Sequence, residues 1–208
     1  MPVHEIKHPL IQHKTGLLRQ KNIRVPEFDQ IVGEIGALLT YEATRDLETS
    51  EHTIGTWAGQ TQVEKMAQKN ITVVPILRAG LGMLDGVLQM LPGAGVSVVG
   101  FARNEATLEA EQYYAKLVDG IADKTVIVID PMLATGGTLE ATLDLLKEAG
   151  CQKIKGIFLV AAPEGLSRIQ QRFPEVDIYV AAIDDHLNDQ GYILPGLGDA
   201  GDKIFGTL

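Results

Sequence analysis

Residues 126–138, with the sequence VIVIDPMLATGGT, combine an apolar run, one acid and a turn of small residues. The four β-branched residues at the start predict a parallel strand buried on both faces, so Asp130 would lie where the strand ends. An unpaired carboxylate is unfavourable there unless it meets a ligand. Residues 135–138 (TGGT) then supply hydroxyls and backbone N–H groups at a helix N-terminus, which favours an anion. The pattern therefore indicates a sugar phosphate site.

A purely structural interpretation of this turn is also open, because any strand-to-helix turn favours Thr and Gly. Thr138 could cap a helix that ends at Gly150. The apolar positions of that helix are Leu139, Leu143, Leu146 and Ala149. The complete order of strand, acid, short spacer and Thr-Gly-Gly-Thr favours the phosphate site.

This order resembles the phosphoribosyl diphosphate (PRPP) motif of the type I phosphoribosyltransferase family. In that family the acid holds the ribose hydroxyls and the following turn wraps the 5-phosphate. Many members carry two adjacent acids, whereas the second position here is Pro131. A carboxylate pair on the ribose is therefore not expected, and the way in which a metal is coordinated stays open.

Further segments narrow the resemblance to the uracil phosphoribosyltransferases within that family. They are residues 7–10 (KHPL), 39–43 (LTYEA), 76–83 (ILRAGLGM), 101–105 (FARNE) and 191–202 (GYILPGLGDAGD). The resemblance runs essentially from end to end. It implies transfer of the 5-phosphoribosyl group from PRPP to uracil, which gives UMP and diphosphate, with Mg²⁺ as cofactor.

The resemblance also implies which residues form the site. Catalytic roles fall to Arg78, Arg103 and Asp130. These three bind PRPP together with Pro131, Met132, Leu133, Ala134, Thr135, Gly136, Gly137, Thr138 and Asp199. Uracil is assigned to Ile193, Gly198, Asp199 and Ala200, with the backbone of Ile193 and Ala200 reading the edge of the base. Mg²⁺ would be held mainly by PRPP and water, as is common for this ion.

Two of these residues have plainer interpretations from the sequence alone. Arg78 follows a strand and precedes Ala79 and Gly80, so it could be a surface arginine on a loop. The small neighbours would also allow a ligand close to the backbone, and a guanidinium matches phosphate oxygens. Asp199 lies between Gly198 and Ala200 and could be a turn residue rather than a ligand to ribose or to a magnesium-bound water.

Length, composition and charge limit the class of protein. A chain of 208 residues with 45% apolar content predicts a single domain over residues 1–208. The single cysteine, the charged first residues and the absence of a long apolar run predict a cytoplasmic protein without a membrane span. A net charge of −9 argues against nucleic-acid binding. Since PRPP is itself anionic, its attraction must be local, through Arg side chains, backbone N–H groups and a divalent cation.

The order of elements predicts an α/β fold with a parallel sheet. Five apolar runs, at 71–76, 96–101, 125–130, 154–161 and 176–183, predict strands. Residues 27–47, 137–149 and 163–171 predict helices. The expected parts are an N-terminal helical arm over 1–50, a core over about 68–183 and a segment 184–208, called the hood, over the carboxyl edge of the sheet.

Residues 104–123 show weak periodicity, which leaves a surface hairpin and a functional loop open. The family resemblance favours a flexible loop that closes over the substrate and excludes water.

The basic residues Lys7, Lys14, Arg19, Lys21 and Arg24 predict a solvated or subunit-facing arm rather than a nucleic-acid patch. The resemblance further implies a homodimer or higher homo-oligomer and leaves GTP activation open. Two other functions stay open: a phosphoribosyltransferase for another base, and a non-catalytic nucleotide-binding regulator with this fold.

Overall fold

The computed structural model describes residues 2–66, 70–103 and 110–207. The strands are β1 Val3–Glu5, β2 Thr49–Thr56, β3 Gly59–Met66, β4 Ile71–Leu77, β5 Gly95–Val96, β6 Val98–Arg103, β7 Ala110–Lys116, β8 Thr125–Ile129, β9 Met132–Leu133, β10 Lys153–Ala161, β11 Asp177–Ile183, β12 His186–Leu187 and β13 Ile193–Leu194. The helices are α1 Pro9–Leu18, α2 Val25–Ala43, α3 Leu81–Met90, α4 Gly137–Glu148, α5 Pro163–Arg172 and α6 Ala200–Phe205, with a 3₁₀ turn at Ile121–Asp123.

The main sheet of the described chain has the strand order β1-β11-β10-β8-β4-β6-β7, with β5 beside β4 and β9 beside β10. Its pairings are parallel except that of β6 with β7. β8 is central and lies between β10 and β4. The loops that follow β4 and β8 therefore meet at one edge of the sheet, where ligands bind in open α/β folds.

Helices cover both faces of the sheet, and alternate residues of β8 divide between the two cores. Ile127 and Ile129 pack in one core with residues of α1, α2, α3 and α6. Val126 and Val128 pack in the other with residues of α4 and α5. This division explains why the strand is apolar throughout, since neither face meets solvent.

Helices α2 and α3 approach each other closely through two glycines. A Cβ atom on Gly86 would lie 1.9 Å from the carbonyl oxygen of Gly33, so a larger residue at Gly86 would force the helices apart. Because α3 begins directly after the loop that carries Arg78, this contact fixes the helix that follows one side of the site.

The predicted α/β class with a mainly parallel sheet and flanking helices is confirmed. Each of the five apolar runs contains a strand. The run at 96–101 is divided, because β5 pairs with β4 at Val73 whereas β6 continues along the end of β4. Ser97 separates the two strands, and its N–H donates to the carbonyl of Val73 at 2.9 Å.

The predicted helices need corrected bounds. The first, predicted over 27–47, spans Val25–Ala43, because Pro26 is favourable in the first turn and the chain leaves the helical conformation at Thr44. The second and third end within a residue of the prediction. α1 and α3 were not predicted, and neither was α6 in the hood, which the sequence presents as irregular.

The segment 104–123, for which a surface hairpin and a functional loop were both open, contains a strand and a 3₁₀ turn in its described part, and the antiparallel pairing of that strand with β6 agrees with the hairpin. β7 pairs with β6 as an antiparallel edge strand, with an irregularity between Gly100 and Phe101. Residues 111–116 of this strand (EQYYAK) are exposed, so it lacks the buried face that would impose an apolar alternation on the sequence. Residues 104–109 lie outside the described residues, so closure of a loop stays a prediction.

A β-hairpin formed by β2 and β3 was also missed by the sequence analysis. Its strands pair only with each other within the described chain, and almost all of their residues are exposed. Trp57, at the turn between them, is fully exposed. Among the described residues, none of the helices combines the length and apolar character that crossing a membrane requires.

Candidate active site

Asp130 lies immediately after β8, where the chain leaves the sheet. Its N–H still donates to the carbonyl of Ile157 on β10 at 3.3 Å, so the backbone is held in strand register. Its carboxylate Oδ1 accepts the N–H of Met132 at 3.1 Å. No cationic side chain of the described residues pairs with this carboxylate, so the carboxylate is available for a ligand or a metal ion.

Pro131 separates Asp130 from the short strand that follows. Proline has no N–H to donate to a sheet, so the ladder is interrupted here. Its carbonyl accepts from the N–H groups of Leu159 and Val160, at 3.0 and 3.1 Å, and pairing with β10 then resumes through β9. Pro131 is buried in this interruption and lines neither cavity described below.

Burial raises the pKa of Asp130 to about 7, and the hydrogen bond from Met132 lowers it only in part. A cation or a hydrogen-bond donor on a bound ligand would favour the ionised form and would lower this pKa. Ionisation of Asp130 is therefore unfavourable in the free protein and becomes favourable when a ligand binds, a combination typical of a functional acid.

The phosphate loop, residues 132–138, leads from β9 into α4. Gly136 is buried and left-handed, with φ 82°, a conformation that favours glycine. It is the N-cap of α4 and has no side chain with which to cap the helix, and the N–H of Gly137 makes only a long hydrogen bond of 3.5 Å to Oγ1 of Thr135. The interpretation of Thr138 as the cap is therefore wrong, because Thr138 lies inside the first turn. The uncapped N–H groups of α4 suit an anion, and a cavity of about 90 Å³ lies beside them.

Arg168 on α5 flanks this loop, and sequence reasoning missed it. A Cβ atom on Gly137 would lie 3.6 Å from its guanidinium nitrogen Nη1. Its Nε donates to Glu140 at 2.6 Å, which ties α5 to α4. Nothing in the sequence pairs Arg168 with a loop 30 residues earlier, since only the packing of two helices brings them together.

Arg78 follows β4 on a loop that packs tightly against β8. A Cβ atom on Gly80 would lie 2.5 Å from the carbonyl oxygen of Ile129, so Gly80 allows the two strand ends to meet. Of the two small residues predicted to admit a ligand, Gly80 admits the neighbouring strand, whereas Ala79 lines the larger cavity described below. The peptide bond between Leu77 and Arg78 is cis, and the Arg78 side chain is exposed.

Helix α6 of the hood holds Arg78 from the other side. An Nη atom of Arg78 lies 3.2 Å from Oδ1 of Asp202, and its guanidinium lies 5.7 Å from the centre of the Phe205 ring. The carboxylate of Asp199 caps this helix by accepting the N–H of Asp202 at 2.9 Å. Asp199 thus has the turn role that the sequence left open, and its contact with PRPP stays a prediction.

A cavity of about 320 Å³ brings the two strand ends and the hood together. Its lining residues are Arg78, Ala79, Asp130, Met132, Ala134, Gly191, Tyr192, Gly198, Asp199, Ala200 and Gly201. It shares Asp130, Met132 and Ala134 with the smaller cavity, whose other lining residues are Leu133, Thr135, Gly136, Thr138, Leu139 and Phe158. One acid therefore borders both spaces, which suits a ligand that extends from the phosphate loop to the hood.

Three predicted site residues, Pro131, Gly137 and Ile193, line neither cavity. Gly137 begins α4 beside the smaller cavity, and Ile193 is buried within the hood. Arg103 ends β6, and its side chain lies outside the described residues. Tyr192 and Gly191 were not predicted. They enter the site because the hood folds back over Thr135, whose Cγ2 would lie 3.7 Å from a Cβ atom on Gly191.

The oxygen donors at the larger cavity suit Mg²⁺ that is held mainly by a ligand. Asp130 and Asp199 supply hard carboxylate oxygens from two sides. Across the described ranges, no group of three or more His, Cys, Asp or Glu side chains is placed to hold a metal ion. The residues present therefore fit an ion that shares its coordination with phosphate oxygens and water.

A comparison with known protein families shows the family to which the chain belongs. The family model described as uracil phosphoribosyltransferase matches residues 5–207. The chain belongs to the uracil phosphoribosyltransferase family. It is accordingly a pentosyltransferase that moves a phosphoribosyl group from PRPP to a nucleobase.

Solved structures agree with the family assignment. The AQ2163 protein from Aquifex aeolicus is 43% identical, with a TM-score of 0.94 over 98% of this chain and 97% of that one. The adenine phosphoribosyltransferase from Trypanosoma brucei, in complex with AMP, pyrophosphate and ribose-5-phosphate, is 14% identical, with a TM-score of 0.56 over 91% and 86%. A hypoxanthine-guanine phosphoribosyltransferase from Bacillus anthracis is 17% identical, with a TM-score of 0.51 over 77% and 79%. At these low identities, the last two structures show only that their fold is similar to that of this chain.

Asp130→Asn should separate stability from activity in this phosphoribosyltransferase. Because the pKa of Asp130 in the folded protein, about 7, exceeds the ordinary value of 3.8 for a free aspartate, the wild type loses stability as the pH rises from about 4 to about 7. Asn does not ionise, so we expect the free variant to be more stable than the wild type above pH 7, by on the order of 1 to 4 kcal/mol. Its kcat/KM should fall by on the order of ten- to a thousand-fold.

Thermal unfolding between pH 4 and 8 and steady-state rates measure the two effects. A variant with near-normal turnover would contradict the role of Asp130 in the reaction. A stability difference that does not shrink towards pH 4 would contradict the raised pKa.

Gly137→Val should block the phosphate loop without unfolding the domain. The added Cβ meets only side-chain atoms of Arg168 and Thr135, at 3.6 Å or more, so the free fold accommodates it. We expect the affinity for UMP, measured by calorimetry, to fall by about tenfold or more, because the side chain occupies space beside the N–H groups at the helix start. Gly16→Val is the control, since nothing lies within 4 Å of a Cβ there. Equal UMP affinity in both variants would exclude Gly137 from the phosphate site.

Proposed function

We propose that this chain is a uracil phosphoribosyltransferase that converts PRPP and uracil to UMP and diphosphate. The observation that carries the proposal is the cavity where Arg78, Asp130 and the hood residues 198–201 meet, continuous through Asp130 with the phosphate loop. Its three sides match the diphosphate, the ribose and the base of the reactants.

The ribose phosphate end is bound by Asp130 and the phosphate loop. The carboxylate accepts hydrogen bonds from ribose hydroxyls, and its ionised form stabilises positive charge that develops on the ring. The N–H groups at the start of α4 bind the 5-phosphate, where the helix dipole favours an anion. Arg168 adds a positive charge beside Gly137.

The diphosphate end is bound by Arg78. This guanidinium is paired with Asp202 in the free protein, at 3.2 Å, and is exposed, so an incoming diphosphate exchanges one anionic partner for another. Arg103 is a second proposed ligand of the diphosphate. Mg²⁺, when bound, neutralises charge on the leaving diphosphate.

The step breaks the bond between the anomeric carbon and the diphosphate oxygen, which leaves with the electron pair. N1 of uracil forms the new bond to that carbon, and its proton passes to diphosphate or to water. The chain supplies orientation and charge stabilisation rather than a side-chain base for uracil, so positioning accounts for the rate.

The hood selects the base in this proposal. Ile193 and Ala200 are buried, and Ala200 lines the larger cavity, so fixed backbone N–H and C=O groups can read the edge of a flat imide. Cytosine presents a different order of donors and acceptors and would leave a buried group unpaired.

Incubation of the protein with PRPP, Mg²⁺ and a panel of uracil, cytosine, adenine, guanine and hypoxanthine tests the proposal. We expect UMP and diphosphate in equal amounts, with kcat/KM for uracil at least about a hundredfold above that for cytosine. A nucleotide of another base as the main product would assign a different substrate. Binding of PRPP without turnover of any base would favour a non-catalytic regulator. Repeating the panel with GTP determines whether GTP activates this enzyme, a question that the sequence leaves open.

We further propose that the enzyme is a homo-oligomer whose subunits meet through the hairpin of β2 and β3. A two-stranded hairpin is marginally stable alone, and its tip presents the fully exposed Trp57 and the exposed Ile54 nearby. Sedimentation velocity should therefore give a dimer or larger assembly for the wild type and a smaller species for Trp57→Ser. Met90→Ser, which changes an exposed apolar residue of α3, is the control. A monomeric wild type would contradict this assembly.

A further inference from the structure

Asp184 is a second acid at the carboxyl edge of the sheet, and its partners lie in the hood and in the N-terminal arm. It follows β11 directly, and its N–H donates to the carbonyl of Ala161 on β10 at 2.9 Å. Its side chain is only 3% exposed, so the carboxylate requires partners within the protein. Asp130 accepts a backbone N–H, whereas Asp184 has a charged partner as well as a backbone N–H.

Arg19 supplies the positive charge. This residue forms the C-cap of α1, and its side chain reaches across to the hood. Its Nη1 and Nη2 atoms donate to the two carboxylate oxygens of Asp184 at 2.8 and 2.5 Å, the two-pronged geometry that arginine favours. The predicted role of Arg19 in a solvated or subunit-facing basic arm is therefore corrected, since its guanidinium is engaged inside the subunit.

Gly196 is held by both members of this ion pair. Its N–H donates to Oδ2 of Asp184 at 2.8 Å, and its carbonyl accepts from Nη1 of Arg19 at 2.9 Å. The backbone at Gly196 is left-handed, with φ 60°, and a Cβ atom there would lie 2.0 Å from the carbonyl oxygen of Ile193. The turn 193–196 is thus fixed at its last residue by a charge pair whose carboxylate is buried and whose guanidinium is partly exposed.

This turn contains one of the two residues that are proposed to read uracil and leads towards the other. Ile193 begins it, and Ala200 follows four residues after Gly196, at the start of α6. Because Gly196 is bound at both its donor and its acceptor, the backbone between Ile193 and Ala200 has little freedom to shift. Buried charge pairs with two-pronged geometry define such positions sharply, and removal of one partner leaves the other uncompensated.

We propose that Arg19 and Asp184 are positioning residues for the nucleobase: through Gly196 they hold the base-reading backbone of the hood in register. The inference rests on the proposed function, because it assigns the base to this backbone. The N-terminal arm therefore takes part in base selection although none of its residues lines the cavity.

Asp184→Asn and Arg19→Lys test the proposal. Asn keeps the shape of the side chain and can still accept from Gly196, whereas it loses the charge that holds Arg19. Lys keeps the charge and loses the fork that contacts two partners at once. For both variants we expect the KM for uracil to rise by about tenfold or more, whereas the KM for PRPP stays within about twofold of the wild type. Discrimination between uracil and cytosine should fall in the same variants.

The matched control is Lys14→Met, which removes another ion pair of α1, with Glu34 on α2 rather than with the hood. Thermal unfolding is measured for every variant, and the control should retain the wild-type KM for uracil. A uracil KM that stays normal in both Asp184→Asn and Arg19→Lys would overturn the inference. A uracil KM that changes in step with the KM for PRPP and with the melting temperature would overturn it as well.

The outcome for the wild type separates this inference from the proposed function. A wild type that transfers phosphoribose to another base overturns the choice of uracil, and the same comparison of KM values with that base still tests Arg19 and Asp184. A wild type that makes UMP, with hood variants that equal the control, overturns the positioning role alone.

Discussion

The candidate site depends on a carboxylate at the end of the central strand that has no cationic partner among the described side chains. Asp130 follows β8, whose residues are buried on both faces, and this burial raises its pKa to about 7. Two apolar cores hold the strand in place and so keep the acid in a position where its ionisation is unfavourable. A ligand that supplies hydrogen-bond donors and a metal ion removes that cost, so the free energy lost in the empty protein favours binding.

The other elements of the site can be understood as ways to bring opposite charge to this acid without closing the cavity. Gly80 lets the loop of Arg78 meet the end of β8, and Gly136 turns the chain so that the N-terminus of α4 lies beside the smaller cavity. A protein with a net charge of −9 attracts an anionic substrate only through such local donors. Pairing of Arg78 with Asp202 keeps that guanidinium near the cavity before the substrate arrives.

The two acids at the carboxyl edge of the sheet show how environment separates their roles. Asp184 has a guanidinium and a backbone N–H within 3 Å and serves to hold the hood. Asp130 has one backbone N–H and faces two cavities. Both residues directly follow strands of one sheet, and it is their different surroundings that lead us to propose a structural role for Asp184 and a functional role for Asp130.

The sequence by itself determined the features that local pattern encodes. Buried parallel strands must be apolar throughout, so five runs indicated the sheet. The order of acid, spacer and Thr-Gly-Gly-Thr predicted a strand end at Asp130 and a helix start beside residues 135–138, which the structure places beside one cavity. Only the tertiary structure decided the rest. The exposed hairpin and β7 have no apolar alternation to read, and the contacts of Arg19 with Gly196 and of Arg168 with Gly137 join distant residues. Such contacts arise from packing between elements, which no local pattern records.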